Sequence, residues 1–168
     1  MSRNLVVVGQ GYVGLPMALR AAEKGFSVVG LDTNSGVVDQ LNAGISHIDD
    51  VTDQVLKVGL QNGYIASTDA SCIATADVVV VCVPTPLNSD GGPDLGPVES
   101  AARTIGDHVA KGALVILEST TYPGPPRKSS PRSFCGRGCG WAPMSTSHSL
   151  RSALIRGTRN SVSGTRPR

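Results

Sequence analysis

Acidic residues are missing from the last quarter of this sequence. All 13 Asp/Glu residues lie within residues 1–124, beside only six Lys/Arg, whereas residues 125–168 hold nine Lys/Arg and no acid. The net charge of +2 therefore combines −7 before this boundary with +9 after it. Because a basic binding face is normally distributed over a folded domain, such a one-sided split indicates two unlike parts joined after Gly124.

Long apolar runs are also absent. No run approaches the roughly 20 residues that a membrane-spanning helix needs, and the N-terminus lacks the layout of a secretory signal. Of the four cysteines, Cys72 and Cys82 lie in apolar surroundings typical of buried thiols rather than of disulfides. We therefore expect a cytoplasmic protein without a membrane partner.

Aromatic residues make up only 4% of the chain. They do not alternate with the arginines of residues 125–168, the C-terminal tail, and no amphipathic helix accompanies those arginines, so we expect no nucleic-acid partner. Cys135, Cys139 and His148 could be three zinc ligands. Their spacing offers no fourth ligand and matches no common zinc knuckle, so we expect no metal site.

Short apolar runs alternate with helical patterns through residues 1–124. Residues 5–8 and 77–83 are continuous valine-rich runs, typical of strands covered on both faces of a parallel sheet. Further predicted strands are 26–31, 64–67 and 114–117, and the predicted helices are 13–24, 37–42, 53–61 and 98–109. This order predicts an α/β fold, a Rossmann-like doubly wound parallel sheet.

The C-terminal tail does not continue this pattern. It contains nine Ser, eight Arg and five Pro in 44 residues, with no sustained period of 2 or 3.6. That composition predicts disorder. We therefore divide the chain into a domain of residues 1–124 and a non-native tail of residues 125–168.

A glycine-rich loop follows the first predicted strand and opens the first predicted helix. Its glycines have the GxGxxG spacing that lets a backbone turn tightly, approach a pyrophosphate and pack a helix on a strand. The helix N-terminus then faces the anion. The predicted cofactor-binding residues of the loop are Gly9, Gly11, Tyr12, Val13 and Gly14.

Asp32 lies 18 residues after Gly14, at the end of the second predicted strand. A carboxylate there can accept hydrogen bonds from both ribose hydroxyls and would repel a 2′-phosphate, which favours NAD over NADP. The loop alone would also allow FAD, or a purely structural use of its glycines.

Longer motifs run through the same region. They are the segments 9–16 (Gly-Gln-Gly-Tyr-Val-Gly-Leu-Pro), 41–44 with 46–50, 82–87 (Cys-Val-Pro-Thr-Pro-Leu), 93–95, and 118–124 (Glu-Ser-Thr-Thr-Tyr-Pro-Gly). In this collinear series residues 3–124 resemble the N-terminal, NAD-binding domain of the UDP-glucose/GDP-mannose dehydrogenase family. Within the family, the sequences Ser-His-Ile-Asp and Thr-Tyr-Pro-Gly are most similar to those of the enzymes that act on UDP-N-acetylhexosamines, with UDP-glucose the next candidate substrate.

The resemblance implies an NAD-dependent oxidation of the C6 alcohol of a UDP-sugar to a carboxylate, in a complete enzyme that is a homo-oligomer. It places Pro84, Thr85 and Thr120 at the cofactor, and Thr120 and Glu118 near the reacting centre. Without the resemblance, Pro84 could simply end a strand, Thr120 could cap a turn and Glu118 could be a solvated edge residue.

The resemblance also shows what the tail does not supply. The catalytic cysteine, lysine and asparagine of the family and its UDP-sugar domain belong to sequence after Gly124, and no cysteine of this chain occupies the family position. As written, we expect a truncated and inactive fragment of marginal stability that binds NAD weakly. The alternative is a stand-alone NAD-binding module whose basic tail recruits a partner.

A shifted reading frame accounts for the tail. If each true codon combines the last base of one codon with the first two bases of the next, residues 125–130 become Thr-Thr-Glu-Glu-Val-Val, and residues 155–161 become Asp-Pro-Gly-Asn-Pro-Glu-Phe. Residues 145–152 become Val-His-Leu-Ala-Phe-Ser-Pro-Glu in the same frame. These resemble the family's own continuation, so we hypothesise that one base was lost near codon 125.

Overall fold

The computed structural model describes residues 3–89, 91–118, 139–141 and 153–157. Its strands are β1 (Asn4–Val8), β2 (Ser27–Leu31), β3 (Tyr64–Ser67), β4 (Val78–Val81), β5 (Leu114–Leu117), β6 (Cys139–Trp141) and β7 (Ala153–Gly157). Its α-helices are α1 (Gly14–Glu23), α2 (Ser35–Asn42), α3 (Asp53–Gln61) and α4 (Gly96–His108), with a 3₁₀ helix at Ala70–Thr75.

Strands β1 to β5 form a parallel sheet in the order β3-β2-β1-β4-β5. The strand order reverses at β1, because the chain runs outward to β3 and then returns to β4 on the other side. In open sheets of this kind, ligands bind beside such a reversal, outside the carboxyl ends of the strands. The fold thus confirms the predicted Rossmann-like sheet and indicates where its site lies.

Two hydrophobic clusters cover the two faces of the sheet. Leu5 and Val7 of β1 face the cluster beneath α1, α2 and α3, whereas Val6 and Val8 face the one beneath the 3₁₀ helix and α4. Because side chains alternate along a strand, a strand buried on both faces needs an unbroken apolar run. The valine-rich runs of β1 and β4 satisfy that need.

The predicted elements agree closely with the observed ones. Helix α3 and strands β3 and β5 have the predicted bounds, and β1, β2, α1, α2 and α4 differ by one or two residues at an end. Strand β4 runs from Val78 to Val81 and is therefore shorter at both ends than the predicted 77–83. The 3₁₀ helix at Ala70–Thr75 was not predicted, since its two turns carry too little apolar periodicity. None of the described helices has the length and hydropathy required to cross a membrane.

Eight residues of the tail are described, in two short strands, and the predicted disorder of the tail stays a prediction. Strand β7 pairs antiparallel with β5, and β6 pairs antiparallel with β7. An edge strand presents unpaired N–H and C=O groups that an extended segment can satisfy, which explains why Ala153–Gly157 is a strand without any local strand signal. The other residues of the tail lie outside the described ranges.

Candidate functional site

The loop between β1 and α1 begins with a turn that only glycine accommodates well. Gly9 has φ of +92°, and a Cβ at this position would lie 2.8 Å from the carbonyl oxygen of Cys82. The Gly9 N–H donates to the carbonyl of Leu31 at 2.8 Å. The turn is therefore held against the ends of β2 and β4, the strands on either side of β1.

The other two glycines of the loop serve different purposes. A Cβ on Gly14 would run into the carbonyl oxygen of Gly9 and come within 3.3 Å of the Cys82 Cβ, so Gly14 permits close packing of α1 on the turn. A Cβ on Gly11 would have no neighbour within 4 Å. Gly11 thus borders open space, which fits the close approach of a ligand to its backbone.

The N-terminus of α1 has no side-chain cap. In α2 and α3, Asn34 and Thr52 accept hydrogen bonds from first-turn N–H groups, but Val13 at the start of α1 does not, and the first turn of α1 contains no acid. Tyr12 and Val13 are 66% and 55% exposed. Uncapped N–H groups and the helix dipole favour a bound anion at this end.

Asp32 follows β2 and contacts the glycine loop directly. Its Oδ2 accepts a hydrogen bond from the Gln10 N–H at 2.9 Å, and its Oδ1 accepts one from the Asn34 N–H at 3.0 Å. The carboxylate is only partly buried. Each oxygen retains a further lone pair for a hydroxyl of a ligand, so the predicted pairing of the loop with Asp32 is present in the structure.

A buried polar pair beneath this loop was not predicted. Gln10 is fully buried, and its Oε1 accepts a hydrogen bond of 2.8 Å from the Tyr64 hydroxyl. Gly30 of β2 leaves the space that both side chains occupy. A glycine inside an otherwise apolar strand often marks such a close approach, and Gly30 was the available signal.

The segment after β4 lies at the same edge of the sheet. Pro84 is exposed and Thr85 is partly buried. Before them, Cys82 is buried, and its burial, followed by the negative charge of Glu118, raises the pKa of its thiol to about 11. Cys82 is therefore a neutral thiol at pH 7 and not a nucleophile.

Glu118 follows β5 and is exposed, and its N–H donates to the carbonyl of Val81 at 2.9 Å. This bond extends the pairing of β5 with β4 and keeps Glu118 at the carboxyl edge. Thr120, the other predicted catalytic residue, lies outside the described residues. Within the described part of the chain, no three His, Cys, Asp or Glu residues are grouped to hold a metal ion.

The parallel sheet, the glycine loop and the carboxylate after β2 together define the class of dinucleotide-binding domains. A family model described as "UDP-glucose/GDP-mannose dehydrogenase family, NAD binding domain" matches residues 3–132. The chain belongs to this family and carries its NAD-binding domain. The matched range extends eight residues beyond Gly124, into the tail.

Individual relatives agree with this assignment. The chain is 41% identical over 127 residues to UDP-N-acetyl-D-mannosamine dehydrogenase of Pyrococcus horikoshii, covering 74% of this chain and 30% of the relative. The enzyme of the same name from Escherichia coli K12 is 41% identical over 126 residues, with the same coverage. Protein CapL of Staphylococcus aureus is 36% identical over 124 residues. The chain thus spans about 30% of the length of these relatives.

Solved structures show the same similarity. A ternary complex of GDP-mannose dehydrogenase from Pseudomonas aeruginosa superposes with a TM-score of 0.72 at 30% identity, covering 77% of this chain and 31% of the other. UDP-D-ManNAc dehydrogenase from Pyrococcus horikoshii superposes with a TM-score of 0.68 at 40% identity, covering 72% and 29%.

Proposed function

We propose that the carboxyl edge of the sheet binds NAD, with the pyrophosphate at the N-terminus of α1 and the adenosine ribose at Asp32. The observation that carries this proposal is the hydrogen bond between the Gln10 N–H and Asp32, because it brings the glycine loop after β1 into direct contact with the carboxylate after β2. Pro84 and Thr85 would border the cofactor from the end of β4. A charged Asp32 disfavours the 2′-phosphate of NADP.

The complete protein is proposed to be a nucleotide-sugar 6-dehydrogenase that oxidises the C6 alcohol of a UDP-N-acetylhexosamine to the uronate, with UDP-glucose the next candidate. The names of its relatives support this substrate class, since several are UDP-N-acetyl-D-mannosamine dehydrogenases. Bound NAD would accept the hydride. The glycine loop and Asp32 would bind and orient the dinucleotide.

Glu118 and Thr120 are proposed to act near the reacting carbon. Glu118 stands at the carboxyl end of β5, beside the end of β4, and an exposed carboxylate there can hold a water molecule for hydrolysis of an acyl intermediate. A threonine two residues later can donate to the same water. The resemblance implies that the cysteine that would carry the acyl group belongs to sequence after Gly124.

The proposal includes the shifted frame after codon 124. The similarity to the family ends within the tail, at residue 132 of 168. The tail also differs from the first 124 residues both in charge and in composition. The 168-residue polypeptide is proposed to be inactive by itself, because it spans only about 30% of the length of its relatives.

Restoring the frame tests this proposal. Insertion of one base near codon 125, at the position that restores Thr-Thr-Glu-Glu-Val-Val, should extend the open frame into a second domain. The encoded protein should then reduce NAD with a UDP-N-acetylhexosamine, whereas the 168-residue chain should give no absorbance change at 340 nm.

The same experiment distinguishes the alternative. A corrected frame that terminates soon after the insertion would contradict the enzyme and favour a stand-alone NAD-binding module. Resequencing that finds no missing base relative to homologous genes would contradict the frame hypothesis. A matched insertion downstream of codon 168 serves as the control, because it leaves the tail unchanged.

A further inference from the structure

Gln10 occupies an unusual position for a polar side chain. It lies in a loop next to the proposed cofactor site, yet it is 0% exposed, between the end of β1 and the strands β2 and β3. A buried amide without partners would destabilise the fold. The partners of Gln10 therefore indicate what holds it there.

The amide is fully engaged with the backbone of the loop and with one distant side chain. Its Nε2 donates to the carbonyl of Val7 at 2.8 Å and to the carbonyl of Gly9 at 3.2 Å. Its Oε1 accepts from the hydroxyl of Tyr64, which lies 54 residues later on β3. Tyr64 is 1% exposed, so both partners are shielded from water and the bond is strong.

Gly30 makes this arrangement possible. It lies in β2 between Val7 of β1 and Ala66 of β3, so Gln10 and Tyr64 meet above it. A Cβ at this position would run into the carboxamide of Gln10 and come within 2.6 Å of the Tyr64 hydroxyl. The absent side chain of Gly30 thus provides the space in which the amide and the phenol meet.

The pair is connected to the proposed site through the main chain of Gln10. The same residue whose side chain binds Tyr64 donates its N–H to Asp32 Oδ2 at 2.9 Å. Burial, and secondarily the negative charge of Asp32, raises the pKa of Tyr64 far above its usual range. The phenol therefore remains protonated and is a permanent donor to Gln10.

We propose that the Gln10–Tyr64 hydrogen bond, placed over Gly30, positions the glycine loop and Asp32 for the dinucleotide. Tyr64 is thus a positioning residue: it lies beneath the loop and acts through Gln10 on cofactor affinity and on the preference for NAD over NADP. This inference rests on the proposed function, because it assigns the pair to the same site.

Tyr64→Phe in the full 168-residue chain tests the inference. It removes the hydroxyl and keeps the ring, so Gln10 Oε1 loses its donor. Amide hydrogen exchange followed by NMR, without cofactor, should show exchange at Gln10 about tenfold faster, as expected for the loss of one buried hydrogen bond. With NAD and NADP added, the ratio of the two Kd values should move toward one.

Asn42→Ala is the matched control. Asn42 makes two hydrogen bonds of 3.0 Å with the main chain of Ala66, on the same strand as Tyr64, and none of its described hydrogen bonds involves the glycine loop. Its loss should lower stability without changing Gln10 exchange or the ratio of Kd values. Gln10→Met, which removes the amide at similar length, should change the ratio as Tyr64→Phe does. The double variant should change the ratio of Kd values no more than either single variant does, because the two residues act as one unit.

The outcomes separate the inference from the proposed function. If the wild-type chain binds NAD, and Tyr64→Phe leaves both Gln10 exchange and the ratio of Kd values unchanged, only the inference fails. It also fails if Asn42→Ala causes the same changes as Tyr64→Phe. If the wild-type chain binds no NAD, the proposed function fails, and the role assigned to the pair fails with it.

Discussion

Asp32→Asn should weaken NAD binding by about ten- to a hundredfold, since a hydrogen bond to a charged acceptor contributes about 1.5–3 kcal/mol and 1.4 kcal/mol equals a factor of ten. The substitution keeps the shape of the side chain. It removes the negative charge that is proposed to accept hydrogen bonds from the ribose hydroxyls, and it replaces one acceptor oxygen by a donor. NADP binding should change much less, because the repulsion of its 2′-phosphate disappears at the same time. Isothermal titration with both cofactors measures the two constants.

Asp69→Asn is the control for this change. Asp69 follows β3 and accepts from the Ser71 N–H at 2.9 Å, much as Asp32 follows β2 and accepts from the Asn34 N–H at 3.0 Å. It has no contact with the glycine loop among the described hydrogen bonds. Its replacement should leave NAD affinity unchanged. Equal losses of affinity in the two variants would show that Asp32 is not the ribose-binding carboxylate.

Gly14→Ala should lower the free energy of unfolding by about 1–3 kcal/mol, the usual consequence of overpacking, and should abolish NAD binding. The new methyl group would collide with the carbonyl oxygen of Gly9. Neither the turn nor the end of β4 has space to yield, because Gly9 is itself held against Leu31 and Cys82. The turn and the start of α1 must then separate, which moves the uncapped N–H groups. Urea unfolding and calorimetry measure the two effects.

Gly36→Ala provides the matched comparison. Gly36 also lies in the first turn of a helix, α2, but its Cβ would meet only the Asn34 Oδ1, at 3.3 Å. Alanine stabilises a helix interior by about 0.5–1 kcal/mol relative to glycine. Gly36→Ala should therefore be neutral or slightly stabilising. Equal stability and equal NAD affinity of the two variants would show that close packing is not the reason for a glycine at position 14.

The sequence alone was sufficient to predict the strands and helices that have a local apolar pattern. Strands β1 and β4 were predictable because unbroken valine runs suit a strand buried on both faces, and α3 because its apolar spacing lies between Thr52 and Asn62, which cap it. The glycine loop and Asp32 were predictable because the strand, the turn and the acid occur at fixed spacing. The structure then places them in direct contact.

Features that depend on distant parts of the chain could not be predicted. The pairing of Gln10 with Tyr64 joins residues 54 positions apart, and nothing local marks either residue as its partner. Strand β7 pairs with the edge of β5, and nothing in its own five residues indicates that partner. Of the predicted catalytic residues, Glu118 is at the predicted edge of the sheet, and Thr120 lies outside the described residues.

The central claim is that NAD binds at the carboxyl edge of the parallel sheet, over the glycine loop and Asp32. Titration of the ¹⁵N-labelled chain with NAD, followed by NMR, tests it most directly, because glycine amides mark both edges. Gly25, Gly63 and Gly112 shortly precede β2, β3 and β5 and so report on the opposite edge. We predict saturable shifts of the amide signals of Gly9, Gly11, Gly14 and Asp32. The signals of the glycines at the opposite edge should remain unchanged. Shifts spread equally over both edges, or none at the loop, would contradict the claim.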